Sequence, residues 1–301
     1  MKSEQKILFI GLSCVGDVIM TTPVMLALHR HFPDAKLDVI ADNRSRELYE
    51  TCPFVDRVYI KDKRLFLRGV PGILKSLLKQ HYDVIVDLRT DGLAYLLRGK
   101  RKYTKWTAGN YGPHAIEDLI GVIAAINKDE SIPHPCVWLQ NQHYEYAEQM
   151  LSSFDNQEHL LAVSVGEPAK PFKTLTMDTW KELLATCASR FSGIVFMGGP
   201  SEQKQTDELV SMSGLRCVSV VGNSLLESAA VLEKVSLYMG PDSGLGHIAS
   251  AVHTPTITFI SACPAERYRP WGEQATCIIA PDKDARLITA GDIEQTLVGA
   301  V

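Results

Sequence analysis

Short apolar runs alternate with longer amphipathic stretches along the whole chain. Lys6-Ile7-Leu8-Phe9-Ile10 opens the series, and its consecutive apolar residues predict a strand buried on both faces. Residues 36–41, 56–60, 82–88 and 102–107 repeat that pattern. Helical spacing occupies 44–52, 72–80, 91–97 and 114–127 between and after them. The latter part of 18–30 is also helical, and Pro23 allows two versions of it. Either Thr22 caps a helix whose first position is Pro23, or a helix starts a turn earlier and is kinked there. A polar, proline-bearing stretch over 128–142 breaks the rhythm. Residues 142–154 then read as a helix, and a second series starts at Leu160–Gly166. It predicts strands at 193–199, 217–221, 235–239, 256–260 and 275–280. Helices fall at 178–190, 201–211, 225–234, 248–252 and 289–298. Strand and helix in alternation predict parallel sheets covered on both faces. The expected organisation is α/β, with two Rossmann-like doubly wound domains over 1–142 and 143–301 facing each other across a cleft.

Composition narrows the class without changing the fold. The chain has 301 residues, 46% hydrophobic and 22% charged, which suits two ordinary globular domains. A formal net charge of −4 argues against a broad nucleic-acid surface. No run of 18 apolar residues occurs, and the N-terminus enters its first strand without a signal-peptide pattern. Seven cysteines are scattered with no Cys-x-x-Cys pair. That spacing suits free thiols in a reducing cytoplasm and offers no zinc site.

Chemistry concentrates in the turns between strands and helices. Gly240-Pro241-Asp242-Ser243-Gly244-Leu245-Gly246-His247 joins an apolar strand to a small-residue helix. Such a turn points backbone N–H groups and a positive helix end at one spot, which suits a phosphate. An ordinary turn capped by the Asp-Ser pair is the competing reading. An Asp and a phosphate would compete for the same helix end, so the amides of Ser243 and Gly244 are the expected phosphate contacts. Asp242 would face a hydroxyl or cap the turn.

Gly11-Leu12-Ser13-Cys14-Val15-Gly16-Asp17 lacks the third glycine of a dinucleotide fingerprint. Asp17 is either a helix-start residue or a carboxylate presented as general base. Gly166-Glu167-Pro168-Ala169-Lys170-Pro171-Phe172-Lys173 offers a lysine as a point charge for a diphosphate. Glu202, after Gly198-Gly199-Pro200-Ser201, either holds ribose hydroxyls or caps its helix. The loop from Cys263 to Gly272 lines a sugar or base pocket or braces the domain interface. Two basic stretches stand against the acidic balance: Lys61, Lys63, Arg64 and Arg68, then Arg98, Lys100, Arg101, Lys102 and Lys105. They suit an anionic acceptor or an anionic membrane surface.

Taken together, these motifs resemble the bacterial heptosyltransferases of glycosyltransferase family nine. The resemblance rests on Gly16-Asp17-Val18 with Thr21-Thr22-Pro23, on Asp87-Leu88-Arg89, and on Lys173 with Leu175 and Trp180. It rests further on Gly198–Glu202, on Gly240–Ala249 with Thr254-Pro255, and on Tyr268-Arg269-Pro270-Trp271-Gly272. It implies a GT-B fold with acceptor in the first domain and nucleotide-sugar in the second. The implied reaction is an inverting, metal-independent transfer, commonly from ADP-heptose to the inner core of lipopolysaccharide, with no cofactor.

Asp17 would then be the base, and Lys173 would stabilise the leaving diphosphate. Gly166, Glu202, Asp242, Ser243, Gly244, Leu245 and His247 would line the donor site. Gly16, Arg64 and Arg68 would meet the acceptor. This chain departs from the family at Glu167-Pro168, where Ser or Thr is usual, and Lys173 stands one residue further from Gly166. Lys170 therefore competes for its role. The expected partners are a nucleotide-sugar and an anionic glycolipid or glycan, with no nucleic acid. The expected place is the cytoplasm, with peripheral contact at the inner membrane as an option. The alternatives are a nucleotide-sugar epimerase of similar build and a non-catalytic sugar-nucleotide-binding protein.

Overall fold

The computed structural model describes residues 5–61, 69–89, 92–128 and 131–300. They divide into two units, Met1–Trp138 and Leu139–Val301. The sequence pattern sets that division at 142/143.

In the N-terminal unit the apolar runs form β1 (Lys6–Ile10), β2 (Lys36–Ala41), β3 (Val55–Ile60), β4 (Tyr82–Asp87) and β5 (Gly99–Thr104). The helices are α1 (Val15–His31), α2 (Arg46–Glu50), α3 (Gly69–Leu77), α4 (Leu93–Leu96) and α5 (Ala115–Gly121). All pairings are parallel, in the order β3-β2-β1-β4-β5. The order reverses between β1 and β4, and ligands of open α/β sheets bind beyond the carboxyl ends of such a strand pair. At the opposite edge of the sheet, fully buried Asp38 accepts from the Tyr82 hydroxyl at 2.8 Å and pairs with Lys6 Nζ at 3.2 Å. Those groups fasten strands and stand away from the loops that carry candidate chemistry.

Pro23 does not start the helix: α1 begins at Val15 and runs continuously through Pro23. Proline has no N–H, so the Ile19 carbonyl loses its helical donor. The Thr22 hydroxyl replaces it, donating to the Ile19 carbonyl at 2.8 Å. The same oxygen accepts from the Cys136 amide at 3.0 Å, tying the returning chain to the helix. The expected helix over 114–127 is shorter, because beyond Gly121 the backbone tightens into i→i+3 bonds such as Ile126 N to Ile123 O.

The C-terminal unit contains α6 (Asn141–Leu151), β6 (Leu160–Val163), α7 (Met177–Cys187), β7 (Gly193–Phe196), α8 (Gln203–Met212) and β8 (Cys217–Ser219). It continues through α9 (Leu225–Leu232), β9 (Leu237–Pro241), α10 (Gly244–Ala251), β10 (Thr256–Ile260), α11 (Ala265–Tyr268), β11 (Ala275–Ile279) and α12 (Ala290–Ala300). Its sheet is parallel in the order β11-β10-β9-β6-β7-β8. Every residue of β6, β7, β9 and β10 is buried, as expected of strands covered on both faces. Trp180 of α7 packs edge-on to Phe259 of β10 at 6.0 Å in the core between helices and sheet. This order is the dinucleotide-fold order, and it reverses between β6 and β9.

Thr22→Val keeps the shape of the side chain and removes both hydrogen bonds. We expect a loss of about 1–3 kcal/mol in chemical denaturation, and a change below about 0.5 kcal/mol would show that α1 tolerates Pro23 without the hydroxyl.

Candidate functional site

The reversal point of the C-terminal sheet brings two charged side chains together. Lys173 lies in a short 3-10 turn on the loop after β6, and Asp242 follows β9. Lys173 Nζ stands 3.1 Å from Asp242 Oδ2, with both side chains largely screened from water. Lys170 instead pairs with exposed Glu167 at 2.6 Å within its own loop. Of the two lysines, Lys173 is the one turned toward the β9–α10 turn. Asp242 therefore works in an ion pair and not as a helix cap. Ser243 occupies the cap position of α10 and makes no side-chain cap bond, so the helix end keeps its amides for another acceptor. Leu245 lies partly exposed in the first turn of α10, and His247 is buried within the helix.

Cys263 joins the pair from the loop after β10, the strand beside β9. Its thiol donates to the same Asp242 Oδ2 at 3.2 Å. Burial first, and then the negative charge of Asp242, push this thiol up to about 12. It stays a neutral donor at physiological pH. Sequence reasoning missed this contact. The available signal was a cysteine immediately beyond the end of a strand, at the ligand edge of the sheet.

Glu202 fastens the neighbouring turns. Its Oε2 accepts from the Gly166 amide at 2.8 Å and from the Ser164 hydroxyl at 3.1 Å. Its Oε1 accepts from the Gly199 amide at 2.9 Å. One buried carboxylate thus ties the loop after β6, which carries Lys173, to the turn after β7. Gly166 has φ +91°, and a Cβ there would stand 2.6 Å from Thr174 Cγ2 and 2.9 Å from Pro241 Cγ. Only glycine fits that crossing. Gly240 is constrained from below: its Cβ would meet the Tyr238 hydroxyl at 2.6 Å. Tyr238 is fully buried beneath the turn, and burial raises its phenol well above the usual range. The loop over 263–272 braces α10, with Pro270 against Gly246 and the Ser250 hydroxyl donating to the Trp271 carbonyl.

The N-terminal unit has its own arrangement at its reversal point. Cys14 occupies the cap position of α1, and Gly16 and Asp17 fall in the first turn, half-buried. Buried Asp87 at the end of β4 accepts from the Arg89 amide at 2.9 Å. The Arg89 guanidinium donates to the Ser13 hydroxyl and so links the loops after β4 and β1. The sequence offers Asp87 and Arg89 only as part of a motif and carries no signal of this link. Lys63, Arg64 and Arg68 lie outside the described residues. No group of three or more His, Cys, Asp or Glu side chains capable of holding a metal occurs among the described residues.

Both sheets place their charged loops where α/β enzymes bind ligands, and the C-terminal arrangement suits an anionic, phosphate-bearing one. Residues 90–296 match glycosyltransferase family 9 (heptosyltransferase). The chain belongs to that family and is a glycosyltransferase. It is similar to lipopolysaccharide heptosyltransferase 3 of Escherichia coli strain K12, with 23% identity over 86% of this chain and 83% of the relative. Its fold is that of a family 9 glycosyl transferase from Veillonella parvula, with TM-score 0.86, 17% identity, and 100% and 98% of the two chains covered. E. coli heptosyltransferase WaaC shares the GT-B fold at 20% identity over 99% of this chain and 100% of that one. Its TM-score is 0.78 in the form with ADP and 0.76 in the form with ADP-2-deoxy-2-fluoro heptose.

Two measurements check this geometry. Glu202→Gln places an amide donor against backbone donors, and we expect it to lower stability by about 1–3 kcal/mol in urea; unchanged stability would mean that the three bonds are dispensable. Iodoacetamide at neutral pH should label exposed Cys14 and leave Cys263 largely unmodified in peptide mass mapping. Equal labelling would contradict a protonated, engaged Cys263.

Proposed function

We propose that this chain transfers a heptose from ADP-heptose to the core of lipopolysaccharide, inverting the anomeric centre in one displacement. The Lys173–Asp242 pair at the head of α10 carries this proposal. It sets a cation and a row of helix-end amides where a departing diphosphate needs them. The names of the relatives supply the sugar and the acceptor class, and the WaaC structures with ADP and a fluorinated ADP-heptose make adenine the favoured base.

Each residue then has a chemical task. Asp17 takes the proton from the acceptor hydroxyl as that oxygen attacks the anomeric carbon. The bond to the diphosphate breaks, and its negative charge is met by Lys173 Nζ and the amides of Ser243, Gly244 and Leu245. Both protein donors to Asp242 fall on Oδ2, so Oδ1 serves a sugar hydroxyl. Glu202 has three protein donors already, so it serves the ribose through its remaining Oε1 lone pair while holding the Gly166 loop. His247 supports the turn from within α10. Gly16 gives the acceptor close approach to the first turn of α1, with the basic stretch that includes Arg64 and Arg68 meeting its anionic groups.

Charge neutralisation by Lys173 and the amides makes a divalent ion unnecessary in this scheme. The reaction runs in the cytoplasm on an acceptor held in the inner membrane. An epimerase is not favoured, because the family match and the sequence relatives are transferases.

Asp17→Asn should reduce transfer from ADP-heptose to a heptose-deficient core acceptor by about 10²–10⁴-fold. ADP affinity should stay within about threefold of wild type, since Asp17 lies in the other unit from the donor turn. Near-normal turnover of the variant, read by product mass spectrometry with chelator present, would overturn the assignment of the base.

A further inference from the structure

The edge of the N-terminal sheet carries a surface that the transfer chemistry leaves unused. Three large side chains stand in solvent there: Leu96 is 64% exposed, Trp106 59% and Tyr95 49%. They are not loose. The Tyr95 and Trp106 rings stack at 5.6 Å with planes 13° apart. The Tyr95 hydroxyl bonds Thr104 Oγ1 at 3.2 Å, and the Trp106 ring lies against Gly92, where a Cβ would stand 3.3 Å from it. Tyr95 and Leu96 come from α4, and Trp106 follows edge strand β5, so the apolar face spans two elements.

Its charge is opposite in sign to the balance of the whole chain. Arg98, Lys100, Arg101, Lys102 and Lys105 lie between Tyr95 and Trp106, with no carboxylate among them, in a chain of net charge −4. Lys102 Nζ stands 5.9 Å from the centre of the Tyr95 ring. Lys100 is paired with Asp83 at 2.6 Å. Arg101 turns to the other face of the strand, where its guanidinium lies 5.7 Å from the centre of the Phe32 ring, whereas Arg98 presents an exposed side chain. Rings with a polar edge and cations on flexible stems are the side chains that settle at the headgroup level of a bilayer.

We propose that the α4–β5 edge is the face by which this protein docks, peripherally, on an anionic lipid surface. Leu96 and Trp106 enter the headgroup boundary, and Arg98, Lys102 and Lys105 meet the lipid phosphates. Charge complementarity selects this occupant, because a net-negative chain approaches an anionic surface only through such a local reversal of sign. No helix of the described residues is long and apolar enough to cross a membrane, so contact of this kind is made from the surface. The inference goes beyond the proposed transfer reaction, and its binding measurement needs neither donor nor acceptor.

The full chain is sedimented with vesicles of phosphatidylglycerol and phosphatidylethanolamine, and separately with vesicles of phosphatidylcholine. Binding should favour the anionic vesicles by about tenfold or more and fall steeply as salt rises to about 0.5 M. Leu96→Ser with Trp106→Ala, and separately Arg98→Glu with Lys102→Glu, should each weaken it by about tenfold or more. Circular dichroism identifies any pair that unfolds, and the single variants Trp106→Ala and Arg98→Glu then carry the measurement. No binding, equal binding to both vesicles, or variants that bind like wild type would each overturn the proposal. So would variants that sediment normally but lose turnover with a lipid-free core oligosaccharide, since the rings would then hold acceptor sugar.

Discussion

A lysine and an aspartate meet where the C-terminal sheet reverses its strand order, and the candidate donor site depends on that meeting. Asp242 at the positive end of α10 would by itself repel an incoming phosphate. Lys173, 3.1 Å away, neutralises it. The Cys263 thiol adds a second donor to the same oxygen, and burial keeps that thiol protonated. The turn can therefore contain a carboxylate and still leave the positive end of α10 unopposed. The remaining features hold this pair in register. Glu202 fixes the loop that brings Lys173, Gly166 lets that loop cross Pro241, and Tyr238 supports the turn from beneath.

The N-terminal unit solves a similar problem with different groups. Its reversal point lies between β1 and β4, and the Arg89 guanidinium spans the two following loops to reach Ser13. Asp17 is thereby presented on the first turn of a helix whose path is set by Thr22. In each unit a long cationic side chain ties together the two loops that a doubly wound sheet leaves at its binding edge. These ties are polar and partly exposed, so their strength responds to a charged ligand in a way that an apolar core contact cannot.

Much of this was legible in the sequence because hydrophobic periodicity reports burial directly. Short apolar runs such as Leu8-Phe9-Ile10 and Val84-Ile85-Val86, bounded by turn residues, suit strands covered on both faces, and alternation with helices then favours parallel pairing. The glycine-rich turns marked the ligand edge. Long-range polar contacts were not legible. Pro23 left two helices open, since the deciding hydroxyl of Thr22 also binds the Cys136 amide, 114 residues away. Asp242 beside Ser243 looked like a cap, and only the fold shows it turned to a lysine from another loop. Glu202 looked like a ribose ligand or a cap. It does cap, accepting from the Gly199 amide at the start of its own short helix, but its other oxygen takes donors from Ser164 and Gly166 of another loop, which the sequence could not show. The choice between Lys170 and Lys173 likewise followed from Glu167, which holds Lys170 within its own loop.

The affinity of the Lys173→Ala variant for ADP, measured by calorimetry at two salt concentrations, tests the donor site most directly. Loss of a charged contact to phosphate should weaken binding by about 10–100-fold and flatten its salt dependence. Affinity and salt dependence equal to wild type would mean that the diphosphate does not meet Lys173, and the donor site would have to lie elsewhere.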